Sequence, residues 1–258
     1  MSQFKLAIAA GAVLILGTQA QAADIARPVY KAPVVAPAFN WSGFYVGGHA
    51  GWGWGKGDGE LVRYVPPVAG AAPPIAIGTV RVNDRDGFLG GAQVGFNWQA
   101  PNSPWVLGIE ADGSWTDAST QSTVAGAGGL LNTTLSDTNW YASITGRIGY
   151  AWGMSLLYVK GGAGFMDVDY QSRSVAGGGT FLSNAVSDTR SGWLIGAGFE
   201  QAIASGWSWK VEYNYIDFAS ETYSFTTTTG AGSNTATNDL TEAAHLVKVG
   251  VNFRFGAH

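Results

Sequence analysis

The chain has 258 residues, no cysteine, a formal net charge of -4 and 12% charged residues, with 11 Trp, 10 Tyr and 12 Phe. That size suits one all-β domain, and so weak a charge balance gives no electrostatic case for a nucleic-acid partner. An exported chain without cysteine has nothing to staple, so its stability has to come from a core or from closure of a sheet.

Residues 1–22 carry Lys5, an apolar run from Leu6 to Leu16 and the small-x-small site Ala20-Gln21-Ala22, the pattern of a signal peptide. Residues 23–41 read as a Pro-rich periplasmic lead-in, with Pro28, Pro33 and Pro37 among small apolar residues. No later stretch offers the ~18 to 20 apolar residues of a membrane-spanning helix. From residue 42 onward the alternation predicts eight strands, at 42–55, 87–99, 104–116, 138–152, 155–168, 191–203, 207–218 and 242–255.

The connections sort by length. Those after the second, fourth and sixth strands are A-P-N-S, G-M and A-S-G, which suit tight hairpins. Those after the first, third, fifth and seventh run from Lys56 to Asp86, Asp117 to Asp137, Asp169 to Arg190 and Ala219 to Thr241, each more than twenty residues of mostly Gly, Thr, Ser and Asn. Such segregation predicts an eight-stranded antiparallel up-and-down transmembrane β-barrel over 42–258, with four long extracellular loops and three short periplasmic turns.

Parity then assigns the faces, because successive side chains on a strand point to opposite sides. Phe44, Val46, Trp52 and Trp54 share one face of the first strand; Trp105, Leu107 and Ile109 share one face of the third. Glu110, Asp112, Arg147, Lys160, Glu200, Lys210, Glu212, Lys248 and Arg254 all fall opposite the aromatic positions of their strands. A basic residue facing lipid at the midplane costs roughly 2–4 kcal/mol and an acid somewhat less. These nine charges would then cost on the order of 20 kcal/mol, more than the ~5–15 kcal/mol a domain has in all. They are therefore expected to line the lumen, while Trp at strand ends, such as Trp98, Trp152, Trp193 and Trp209, forms two interfacial girdles. A soluble sandwich accommodates the alternation but gives no reason for Trp at strand ends.

Counting from the tight turns places Glu110, Arg147, Lys160, Glu200, Lys210 and Glu212 in one belt. Glu200 is expected opposite Lys210 and Arg147 opposite Lys160, with Glu110 as the acid nearest that like-charged pair. The belt is read as a salt-bridge network filling the lumen, because eight strands enclose room for side chains only. The alternative is a selectivity constriction.

Enzymatic and cofactor chemistry find little to stand on. His49 faces the lumen, His245 the lipid side and His258 ends the chain, so no Ser/His/acid set converges in this register. His49 reads as a hydrogen-bonded lumen residue and stands alone as a haem ligand; no cofactor and no transition-metal site are expected. The Gly-x-Gly strings lie in strands and are not phosphate loops.

Several passages resemble a known family. W-S-G-F-Y-V-G-G-H-A-G-W-G-W-G from Trp41, G-W-L-I-G-A-G-F-E from Gly192, W-S-W-K-V-E-Y-N-Y-I-D-F from Trp207 and the closing V-K-V-G-V-N-F-R-F are similar to alphaproteobacterial outer-membrane proteins of the Omp25/Omp31 type. Gly250, Phe253 and Phe255 resemble the C-terminal signal read by barrel-assembly machinery, with Gly256, Ala257 and His258 added after it. The resemblance implies a porin-like, surface-antigenic barrel of the outer membrane, contributing to envelope integrity and lacking catalytic residues. Its implied surroundings are lipid and lipopolysaccharide, with periplasmic chaperones and assembly machinery during export. A host surface or phage at the loops, or haemin in some relatives, is the receptor alternative.

Overall fold

The strands prove longer than the alternation suggests. The computed structural model describes residues 39–68, 75–126, 131–176, 179–204, 206–229 and 232–255. The expected signal peptide, most of the Pro-rich lead-in, Ser205 of the A-S-G turn and Gly256 to His258 lie outside the described residues. The strands are β1 (Gly43–Val65), β2 (Val80–Gln99), β3 (Trp105–Thr116), β4 (Ser119–Ala125), β5 (Leu131–Trp152), β6 (Ser155–Ala176), β7 (Gly179–Leu182), β8 (Val186–Ala204), β9 (Trp207–Thr229) and β10 (Gly232–Arg254).

Antiparallel pairing runs β1–β2–β3–β5–β6–β8–β9–β10 and closes with β10 on β1, an eight-membered ring. β4 carries β3 onward after a break at Asp117–Ala118, and β7 is a short hairpin partner of β6. Closure leaves the ring without a free edge, so every backbone polar group in the bilayer can be paired. At the tight turn between β5 and β6, Gly153 has φ +61°, which suits glycine at the first central position of a two-residue hairpin.

Most of what reads as loop in the sequence is paired backbone. Lys56–Val65 of β1, Thr222–Thr229 of β9 and Gly232–Leu240 of β10 continue the ladders outward. Thr and Ser residues hydrogen-bond across these strands and across β4 and β5: Ser224 with Thr237 at 3.0 Å, Thr226 with Thr235 at 3.0 Å, and Thr123 with Thr133 at 2.9 Å. β-Branched polar residues hold a sheet as well as apolar ones once water replaces lipid, which is why composition alone mistook them for loop.

Above the bilayer the wall has two seams. β2 and β4 meet at Asp86 and Ser119, and Thr120 Oγ1 donates to the Asp84 carbonyl at 2.6 Å. Between β8 and β9, pairing stops at Gly192 and Phe218 and side chains take over: Tyr223 donates to Asp188 at 2.7 Å, and Arg190 donates to the Ala219 and Leu240 carbonyls.

The outer face is apolar through the membrane band, with Ile109 and Ile144 65% and 64% exposed. Aromatic rings form contact chains near both ends. Trp105, Tyr150, Trp152, Phe199 and Trp209 are linked around the periplasmic side, and Trp54, His245, Tyr213 and Tyr215 on the other.

Candidate functional site

The lumen holds a belt of buried charge. Lys160 Nζ lies 2.9 Å from Glu110 Oε1 and 2.8 Å from Glu212 Oε1; Lys210 Nζ lies 2.9 Å from Glu110 Oε2 and 3.4 Å from Glu212 Oε2. Two ammonium groups and two carboxylates from β3, β6 and β9 thus make a closed four-membered ring. Tyr45 donates to Glu110 and Tyr158 to Glu212, each at 2.8 Å, and Asn214 Nδ2 donates to Glu212 at 2.8 Å. On the extracellular side of this ring, Lys248 Nζ pairs with Asp112 Oδ2 at 2.9 Å and approaches Glu212 Oε1 to 3.8 Å, while Ser143 donates to Asp112. Desolvated charges survive where each carboxylate meets several donors, and here they do.

The register sets Glu200 against Lys210 and Arg147 against Lys160. The ion pairs do not follow it. Glu200 instead takes Arg147 Nη1 and Arg254 Nη2, both at 3.5 Å, with Ser208 Oγ at 2.5 Å and Asn252 Nδ2 at 3.1 Å. The short carboxylate stays near its own wall, whereas Lys210 is long enough to reach across the lumen to Glu110. Glu110 does contact both members of the like-charged pair, at 2.9 Å from Lys160 and 3.8 Å from Arg147.

Two apolar plugs flank the belt, and the sequence reading missed both. At the periplasmic mouth Trp41, Val106, Ala151, Leu156, Tyr158 and Ala202 are buried together, with Phe39 against them. Trp41, placed in the lead-in by sequence, lies wholly buried; its amide donates to Gln99 Oε1 at 2.8 Å and the Arg254 guanidinium stacks over its ring. On the extracellular side Leu89, Tyr141, Met166, Leu194, Ile216, Phe218 and Leu246 fill the lumen. A cavity of about 70 Å³ lies among them, bordered also by Arg85 and Glu242. Those two pair at 3.2 Å, and Arg190 joins Glu242 at 2.9 Å. The inward parity of these apolar residues was legible; the assumption of a polar lumen hid them.

His49 is a hydrogen-bonded lumen residue, as its strand parity suggests. Its Nε2 is 2.7 Å from Ser114 Oγ and its Nδ1 is 2.5 Å from Gln93 Oε1, so a Ser–His pair does converge through β1, β2 and β3. The third partner is an amide rather than an acid, and all three side chains are buried. Both ring nitrogens are engaged, which leaves neither free for a metal or haem. Among the described residues no group of three or more His, Cys, Asp or Glu is arranged to hold a metal ion.

A closed antiparallel ring, charged within and apolar without, matches the family model described as Outer membrane protein beta-barrel domain over residues 8–255. The chain belongs to this outer-membrane β-barrel family. It is 30% identical to the 31 kDa outer-membrane immunogenic protein of Brucella melitensis over 97% of this chain and 100% of that one. Identity to the 25 kDa outer-membrane immunogenic protein of Brucella abortus is 27%, over 97% of each. The 22 kDa outer membrane protein of Rhizobium leguminosarum is 28% identical over 75% of this chain and 71% of its own. Among solved structures, the outer membrane protease OmpT from Escherichia coli aligns with TM-score 0.50 and 8% identity over 86% of this chain and 99% of that one, a likeness of fold alone.

This outer-membrane barrel closes with the three residues expected to form the assembly signal. Gly250 faces inward, where a Cβ would meet the Gly48 carbonyl oxygen at 2.9 Å. Phe253 and Phe255 face outward, their centroids 5.2 Å apart, and Phe253 also contacts Trp207 at 5.1 Å.

Proposed function

We propose that this outer-membrane barrel is a closed, non-conducting envelope protein that displays a tall β-structured antigenic surface, without enzymatic activity. One observation carries the reading: the belt side chains from Glu110 to Lys248 are at most 2% exposed, sealed between two apolar plugs. A pore would need a continuous wetted path, and this cross-section is occupied by paired charge. Lipid and lipopolysaccharide are its surroundings in this reading, and periplasmic chaperones and assembly machinery meet it through Gly250, Phe253 and Phe255 before insertion.

The test is single-channel conductance of the refolded protein in a planar bilayer. Silence from the wild type, with steps appearing in Trp41→Ala/Glu200→Gln, supports the plug. Steady wild-type openings would make the belt a constriction and the protein a porin.

A receptor or adhesin role is the second reading, supported by the height of the extracellular wall. β1, β9 and β10 each have 23 residues. At about 3.3 Å per residue and a tilt of roughly 40° they rise about 58 Å, so a band of about 25 Å leaves on the order of 30 Å outside. Any haemin contact would lie there, because His49 is fully engaged. Removing residues 222–240 while the ring still folds would abolish surface binding if this reading holds and leave it unchanged if it does not.

A further inference from the structure

The periplasmic tier of the lumen has more donors than acceptors. In the tier above it, Lys160, Lys210 and Lys248 are balanced by Glu110, Glu212 and Asp112. Below, Arg147 and Arg254 share the single carboxylate of Glu200, each at 3.5 Å, and Arg147 reaches Glu110 only at 3.8 Å. One positive charge is therefore in excess, and it lies close to the Trp41 plug.

Among the described residues, four of the eight buried side-chain atoms without a hydrogen-bond partner lie in the same tier, and all four donate. Arg147 Nη2, Arg254 Nε, Asn97 Nδ2 and Trp41 Nε1 are buried without a hydrogen-bond acceptor. They belong to one connected group. Arg147 Nε donates to Asn97 Oδ1 at 2.9 Å, which turns the Asn97 amide nitrogen away from it; Arg254 joins Arg147 through Glu200 and lies 4.4 Å above the Trp41 ring. All four residues are at most 4% exposed. A water molecule supplies acceptors but brings two protons of its own, and none of these four unmatched atoms can take them. An anion accepts only.

We infer that the tier formed by Asn97, Arg147, Arg254 and Trp41 binds a small monovalent anion of chloride type as a buried counterion. The charge of one matches the excess, and a divalent oxyanion would overshoot it. The site is independent of whether the lumen conducts.

The experiment compares thermal unfolding of the refolded protein in sodium chloride and in sodium gluconate at equal ionic strength, gluconate being too large for the tier. The expected result is a saturable rise in midpoint with chloride, by about 3 °C or more. Asn97→Asp keeps the acceptor for Arg147 Nε and adds the missing negative charge, so its midpoint is expected to be independent of the salt. Equal wild-type midpoints in the two salts would overturn the inference, as would an undiminished chloride shift in Asn97→Asp. Should that variant not fold, wild-type crystals grown in bromide decide: an anomalous peak beside Arg147 Nη2 supports the site, and its absence there overturns it.

Discussion

The guanidinium of Arg254, at the end of the last strand, lies 4.4 Å above the ring of Trp41, just before the first. This contact ties the two ends of the ring together and caps the periplasmic mouth. Trp41→Ala should destabilise the barrel by about 3–5 kcal/mol through lost burial and the cavity left behind. Trp41→Phe, which keeps much of the volume and weakens the cation–π contact, should cost about 1–2 kcal/mol. Urea unfolding in micelles, followed by the mobility difference between folded and unfolded bands, measures both; a Trp41→Phe protein as stable as wild type would show that stacking on Arg254 adds nothing.

Glu110 contacts Lys160, Lys210, Arg147 and Tyr45. Glu110→Gln leaves an excess of buried positive charge and should cost about 3–5 kcal/mol. Combined with Lys160→Met, the loss should be smaller than the two single losses added, with a coupling of about 1–3 kcal/mol. Additive losses in a double-mutant cycle would mean the two residues do not stabilise one another.

Glycine positions should divide sharply. A Cβ at Gly51 would overlap the Val247 carbonyl oxygen, whereas one at Gly146 would meet nothing within 4 Å. Gly51→Ala is expected to cost about 1–3 kcal/mol by forcing strands apart, and Gly146→Ala to stay within about 0.5 kcal/mol of wild type. Refolding yields and unfolding midpoints of the pair would contradict this if they matched.

The outer face is open to a lipid test. Ile144→Arg, at a position 64% exposed in the membrane band, should lower stability in lipid vesicles by about 2–4 kcal/mol. Ile144→Leu should be near neutral. Tolerance of the arginine would place that face in water.

The seam between β8 and β9 should loosen in acid. The hydrogen bond from Tyr223 holds the Asp188 carboxyl below its usual 3.8. A depressed carboxyl contributes stability that is complete above the unfolded value and is lost as pH falls through the folded one, here below about pH 3.8. Amide exchange near Asp188 and Tyr223 should rise in that range, and Tyr223→Phe should remove the transition. An unchanged profile in the variant would assign the acid response to another group.

Strand parity was legible because lipid penalises charge on one face of every strand, so Glu110, Arg147, Lys160 and Lys210 could be placed in the lumen from sequence alone. Which charge meets which was not. Glu200 and Lys210 face one another in register yet bond elsewhere, because a lysine spans the lumen and a carboxylate does not. Trp41 and the Leu89 to Leu246 plug escaped notice for a related reason: an inward apolar residue looks out of place until the opposite wall supplies its neighbours.

The sequence by itself determined the ring: strand order, the face toward lipid, the tight turns and the family, all of which follow from local alternation and the length of connections. Tertiary structure alone decided how the lumen is filled, where the extracellular strands end and which donors lack acceptors. Those depend on distances between side chains brought together from strands far apart in the chain, and such distances exist only once the ring has closed.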